Sequence, residues 1–259
     1  MIDTDRYPIF DVGSSGYYDL TKKCQEALKK TGLCVLEGFV RGPALEKMRV
    51  EGRAAESKAF HSTIYGNAYL KDRNPNLPDN HTYNVEDVTS LGAVAYDQIN
   101  PEEVIRRIYD SKDVLKFLGD ALGRGEIFYY ECPLGKINYS MMGDGDYLRW
   151  HFDQSDFVVA IPVQSCHEGG KYEYVYNVRS SENENYEEVQ KVLDGDRTHV
   201  QILDTPAGSL VLFEGRYTIH RVTKIHGSQT RIMGLLGYAD KPGVTSNEYL
   251  RKIRYGRTN

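Results

Sequence analysis

Cysteine is scarce and unpatterned in this 259-residue chain: Cys24, Cys34, Cys132 and Cys166 show no CxxC and no regular spacing. That argues against a disulfide framework and a structural zinc cluster, and leads us to expect reduced thiols in a cytoplasmic protein. No apolar run approaches the roughly 20 residues that a bilayer-spanning helix needs, so no membrane partner is expected. The opening "MIDTDRYPIF" offers acids and a proline where a secretion signal needs basic residues and an apolar stretch. Positive charge is not in excess either: Lys and Arg number 32 against 37 Asp and Glu, a formal net charge of −5. Non-specific nucleic-acid binding needs a basic footprint, so nucleic acid is not an expected partner. No Pro/Gly/Ser linker, internal repeat or low-complexity tract divides the chain. A single domain over 1–259 is the expectation, and at this size it can bury roughly three quarters of its unfolded surface.

What is present falls into two textures. Residues 1–125 read as a largely helical N-terminal part. In "YYDLTKKCQEALKKTGLCVLEGFV", Leu20, Cys24, Ala27 and Leu28 recur at helical spacing, with Asp19 as the expected N-cap and Gly32 as the stop. A short strand, Leu33 to Leu36, follows. "GPALEKMRVEGRAAESKAF" places Pro43 in a first turn and Leu45, Met48, Ala55 and Ala59 on one stripe. "NAYLKDRNPNLPDNHTYN" has little periodicity and reads as a long loop, the kind that serves as a lid or binding loop. Helices are expected to resume over 101–122. Residues 126–259 form the β-rich core: short runs such as "DYLRWHF", "DFVVAIPVQ", "KYEYVYNV" and "GSLVLF" alternate with turn signals, as in an antiparallel sandwich or barrel. Gly169–Gly170 in "HEGGK" reads as a hairpin turn. One helix, marked by Tyr186, Val189, Val192 and Leu193, interrupts the run. The 20 tyrosines are numerous enough to wall a polar pocket, although most suit half-exposed strand positions.

Within "YLRWHFDQSDFVV", His151 and Asp153 stand two apart, so on a strand both project to one face. His220 sits in a later strand-like run, "YTIHRV", and Arg231 on what should be the next strand. Two imidazoles and one carboxylate are the set that occupies one face of an Fe(II) ion and leaves positions open. Each residue singly has a structural explanation; together, in a β-rich half, they point to a metal. Arg231 then has a task, because a guanidinium grips a carboxylate through two parallel hydrogen bonds. Thr230 adds a hydroxyl beside it, and Arg216 in the "EGRY" turn is a second carboxylate partner.

The chain resembles the Fe(II)/2-oxoglutarate-dependent oxygenases, and more narrowly the BesD/HalD group that modifies free amino acids. The resemblance runs through "NAYLKDRNPNLPDNH", "HFDQSDF", "GGKYEYVYNVRS", "SLVLFEGRYTIHRV" and "GYADKPG". It implies a double-stranded β-helix of the jelly-roll or cupin-like kind, mainly β with flanking helices and an N-terminal helical buttress. It implies Fe(II), 2-oxoglutarate and O₂ as cofactor and cosubstrates, with His151, Asp153 and His220 as metal ligands and Arg231 on the cosubstrate. In radical halogenases of the group the metal-binding acid is a small residue and chloride takes its place. Asp153 is present here, so hydroxylation of an unactivated carbon of a free amino acid is the expected reaction. Desaturation or cyclisation by the same oxidant is the alternative chemistry, and a non-catalytic cupin-like metal- or ligand-binding protein is the rival class.

The expected partner is a small molecule. Met233 and Leu235 share a strand face with Arg231 and would wall a substrate pocket, while the neutral Gln154 offers no charge to a cationic side chain. That favours a neutral or aliphatic amino acid over lysine. Glu131, Asp144 and Asp146 keep a cation open, and Arg73 and His81 in the long loop are further candidate contacts.

Overall fold

The computed structural model describes all 259 residues, Met1–Asn259. Along the chain run α1 (Ser15–Thr31), β1 (Leu33–Leu36), α2 (Gly42–Ala55), β2 (Phe60–Asn67), β3 (Glu86–Val94), α3 (Val104–Tyr109) and α4 (Lys112–Ala121). Next come β4 (Phe128–Tyr129), β5 (Ile137–Met142), β6 (Leu148–His151), β7 (Val158–Gln164), β8 (Glu168–Gly169), β9 (Tyr172–Val175) and α5 (Tyr186–Leu193). The last are β10 (Gln201–Leu203), β11 (Leu210–Phe213), β12 (Ile219–Val222), β13 (Ile225–His226), β14 (Arg231–Leu236), β15 (Tyr238–Ala239) and α6 (Glu248–Tyr255).

Two antiparallel sheets face each other in a jelly roll. The larger has the order β1-β11-β7-β14-β5-β3-β2 and the smaller β10-β9-β12-β6. Period-two alternation gives the larger sheet two different faces. Tyr139, Val159, Ile161, Leu212 and Ile232 point outward into a core shared with Tyr17 and Leu28 of α1, Met48 of α2, Ile105 of α3 and Phe117 of α4. The packing is close: a Cβ on Gly234 would lie 2.5 Å from Ile105. The alternate residues, Asn138, Ser140, Arg231, Met233 and Leu235, point inward between the sheets and line a cavity. One sheet thus carries its greasy core on one side and its chemistry on the other. No helix is long and apolar enough to cross a membrane.

Three local expectations are corrected. Helix α1 starts earlier than Asp19, because the Ser14 hydroxyl accepts the Tyr17 N–H and caps the helix there; the stop at Gly32 holds, with φ 71°. Residues 1–125 are less helical than the sequence suggests, since β2 and β3 extend the larger sheet beyond β5. β2 is an edge strand whose side chains are largely exposed, so it lacks the apolar alternation that betrays a half-buried strand. Gly169 and Gly170 do adopt positive φ, but they do not close a hairpin: β8 pairs with β13, and the turn carries the chain on into β9.

The loop from Ala68 to His81 is tied on itself. The Asn84 side chain donates to the carbonyls of Asn74, Leu77 and Pro78 and accepts the Asn74 N–H. Tyr69 stacks on Tyr83 at 5.0 Å, and the Ala68 carbonyl accepts the N–H of Phe152, between the two residues of the HxD pair.

Candidate metal centre and its cavity

β6 and β12 are neighbours in the smaller sheet, and their register sets His151 directly opposite His220. The imidazole centroids are 4.1 Å apart. Asp153 lies beyond the end of β6 rather than on the strand, held by its N–H donating to the Gly215 carbonyl at 3.1 Å. His151 and Asp153 therefore converge through a strand end and a pinned loop, not by strand alternation alone. One ligand atom from each of His151, Asp153 and His220 lies within 4.8 Å of the others.

The orientation of these atoms is what a metal ion requires. Nδ1 of His151 is 2.9 Å from the Arg149 carbonyl, and Nδ1 of His220 is 2.9 Å from the Thr218 carbonyl. A carbonyl only accepts, so both Nδ1 atoms carry the proton and both Nε2 lone pairs turn toward Asp153. Burial and the neighbouring His220 push the His151 pKa down to about 3, which keeps the ring neutral at physiological pH. Burial alone would raise the Asp153 carboxyl, but His220, His151 and Arg254 outweigh it and hold the group ionised below the usual carboxylate range. The Nε2–carboxylate separations, 3.8 Å from His151 and 3.5 Å from His220, exceed good hydrogen-bond length. Asp153 Oδ2 is buried with no hydrogen-bond partner. An orphaned carboxylate oxygen facing two imidazole lone pairs is costly unless a cation joins them, so the donor set fits a divalent metal.

The cavity between the sheets measures about 460 Å³, within the roughly 300–1,000 Å³ range of small-molecule sites. Arg231 lines it and forms neither a salt bridge nor a side-chain hydrogen bond; burial lowers its pKa, with only Cys166 and Tyr172 acting against that. A half-buried guanidinium without an anion marks a place for one. Met233 and Leu235 line the same wall.

The remaining candidates stand elsewhere. The Thr230 hydroxyl donates to Glu56, and Arg216 is engaged by Asp156 and the Gln154 carbonyl. Gln154 is exposed and donates to the Leu70 carbonyl at 3.3 Å. Arg73 pairs with Asp79 at 2.7 Å; His81 caps a 3₁₀ turn through Nδ1. Glu131 accepts the Gly243 N–H, Asp144 accepts the Gly227 N–H, and Asp146 holds Ser90 and His61. None of these eight side chains lines the cavity.

Residues not anticipated from sequence do line it: Tyr172, Asn138, Ser140, Arg149 and, from α6, Arg254. Tyr172 stacks on His220 at 5.5 Å, while Phe213 meets the same ring edge-on at 4.8 Å. α6 was legible in principle, since Asn247 is a helix cap and Leu250, Ile253 and Arg254 follow at one-face spacing. Gly215 was hidden behind its neighbour Arg216. A Cβ there would overlap the Asp153 carboxylate. Gly215→Ala is therefore expected to displace Asp153 and weaken Mn(II) or Fe(II) binding on the order of 10- to 100-fold. Calorimetric titration beside a thermal melt checks this; unchanged metal affinity would show that the carboxylate has room to retreat.

A match to the halogenase D family spans residues 80–251, a stretch that contains His151, Asp153, His220 and Arg231. No curated protein matches the chain. Among solved structures, the chain is similar to an oxidoreductase of the 2OG-Fe(II) oxygenase family from Burkholderia pseudomallei, with 13% identity, TM-score 0.53, and 86% of this chain and 92% of that one covered. HygX from Streptomyces hygroscopicus, solved with nickel and 2-oxoglutarate bound, gives 13% identity, TM-score 0.55 and coverages of 93% and 97%. A prolyl hydroxylase from Trichoplax adhaerens, in complex with a hypoxia inducible factor peptide fragment, gives 16%, 0.55, 86% and 90%. At these identities the likeness is one of fold.

Proposed function

The chain belongs to the halogenase D family, among the Fe(II)/2-oxoglutarate oxygenases, and on that premise we propose that it hydroxylates an unactivated carbon of a free amino acid. The observation that carries this reading is the pairing, in one cavity, of an intact two-histidine-one-carboxylate set with an arginine that has no anion of its own. His151, Asp153 and His220 would hold Fe(II), and Arg231 would hold the far carboxylate of 2-oxoglutarate. The bound ion would supply the place where O₂ is reduced by the decarboxylating 2-oxo acid, so that substrate C–H, 2-oxoglutarate and O₂ become C–OH, succinate and CO₂.

The protein's own part is orientation and exclusion. The carbonyls of Arg149 and Thr218 hold both imidazoles in the tautomer that presents Nε2. Tyr172 and Phe213 cover His220 and keep water from that flank. Burial drives the Tyr172 phenol far above its ordinary pKa, so it remains a neutral donor near Arg231. Met233 and Leu235 give an apolar body a wall to lie on.

Two measurements test the reading. Anaerobic addition of Fe(II) and 2-oxoglutarate is expected to give the visible metal-to-ligand charge-transfer band of the chelate. A panel of free amino acids is then assayed for substrate-dependent succinate, followed by product mass. Bound iron without the band would favour a binding protein, and succinate formation that no amino acid stimulates would remove the substrate class. Arg231→Lys is expected to raise the 2-oxoglutarate requirement on the order of 10- to 100-fold and leave the amino-acid KM nearly unchanged. Lysine keeps the charge but loses the planar fork. The reverse split would move Arg231 to the amino-acid pocket.

A further inference from the structure

The cavity has two cationic ends. Arg231 stands opposite Met142 in the β14–β5 ladder, and Leu235 stands opposite Asn138. Four residues of strand, about 13 Å, separate these two registers. At the Asn138 end the guanidinium of Arg254 reaches in from α6 and donates to Asn138 Oδ1 at 3.0 Å. A guanidinium has only donors, so the Asn138 amide must present its oxygen there. Its Nδ2 then has no protein acceptor. Ser140, two residues along the same inward face, is buried and makes no side-chain hydrogen bond. No acid pairs with Arg254.

The charges facing this space are unbalanced. Arg149, Arg231 and Arg254 line the cavity, and Asp153 is the only carboxylate that does. A divalent metal adds two positive charges and dianionic 2-oxoglutarate removes two, while Asp87 and Glu86 act on Arg149 from outside the cavity; the surplus that remains falls on Arg254. Arg149 is the more constrained of the two remaining cations: it is buried, donates to Thr89 Oγ1 at 2.8 Å and to the Asn67 carbonyl, and lies close over Gly66. Arg254 has only neutral partners, Asn138 on β5 and the Tyr255 phenol beside it, and no anion.

We infer that Arg254, with Asn138, is the anchor for the substrate's carboxylate, and that the substrate carries no cationic side chain. This deepens the amino-acid reading above and rests on it for the substrate class, but not for the anchor. The α-carboxylate binds the guanidinium of Arg254 and the Nδ2 of Asn138. The carbon chain then runs along Leu235 and Met233 toward the metal centre. A lysine-like ammonium would meet no acid there except the metal ligand. Arg254 stands three residues past the end of the stretch matched to the family, in the last turns of α6.

The test uses the full chain loaded anaerobically with Fe(II) and 2-oxoglutarate, so that Arg231 is already occupied. Hexanoate, hexanamide, norleucine and lysine are titrated by calorimetry and by their perturbation of the charge-transfer band. Hexanoate is expected to bind at least tenfold tighter than hexanamide, and norleucine at least tenfold tighter than lysine. Arg254→Met is expected to erase the preference for acid over amide while 2-oxoglutarate affinity stays within twofold. Hexanoate binding without norleucine binding keeps the anchor and overturns the amino-acid reading. Hexanamide binding as well as hexanoate, lysine binding as well as norleucine, no binding by either acid, or loss of the preference in Arg149→Met but not in Arg254→Met, overturns the inference.

Discussion

Turnover by His151→Ala and by His220→Ala is expected to fall to background, with affinity for Fe(II) or Mn(II) reduced at least about 100-fold. Loss of a group that merely orients a ligand costs about 10- to 100-fold, and these variants remove the ligand itself. The fold is expected to survive. β6 and β12 pair through their backbones, which both variants keep. Each ring borders an existing cavity, so truncation enlarges a space rather than opening a sealed void, a change on the order of 1–2 kcal/mol. Metal titration and a thermal melt on the same samples separate the two effects. Near-normal turnover in either variant would remove that residue from the centre.

Products formed by the unmutated enzyme in chloride are expected to gain one oxygen or lose two hydrogens and to contain no chlorine. Asp153 would take the coordination position that a halide needs, and its backbone is pinned beside the two histidines by the Gly215 carbonyl. Asp153→Gly is expected to lose hydroxylation by about 100-fold or more. It is not expected to chlorinate, because a bound halide needs free donors at the vacated position, and those of the turn that holds Asp153 and of Arg179 beside it are engaged. The Asp153 N–H is given to Gly215, Arg216 to Asp156 and the Gln154 carbonyl, and Arg179 to the Arg216 carbonyl and Glu184. Mass spectrometry with isotopically resolved chlorine decides the matter. A chlorinated product from the unmutated enzyme would end the hydroxylase assignment.

The metal set was legible because its residue types and their β-rich setting constrain one another. Strand alternation also brought Met233 and Leu235 to the face of Arg231. Alternation says which side of a sheet a residue takes, but not what stands next to it. Thr230 precedes β14 and turns its hydroxyl to Glu56 after α2, a contact no local pattern contains. Glu131 is taken by the Gly243 N–H. Arg254 meets Asn138 across 116 residues of sequence, and only the closed sandwich brings the two together. β2 escaped notice for a different reason: an exposed edge strand has no buried stripe to read.

The face-to-face register of His151 and His220 also dictates where this chain tolerates added length. A one-residue slip of a strand turns every side chain to its other face. An insertion within Leu148–His151 or Ile219–Val222 would therefore swing one imidazole out of the cavity while leaving the sheet hydrogen-bonded. Between β9 and β10, α5 packs Val189 and Val192 against Trp150, Phe152 and Ile219, but the exposed turns that flank it, at 181–183 and 194–196, are under no such constraint. Affinity tags, fluorophores or fusion partners belong there, and a library that varies loop length has its safest ground in those turns.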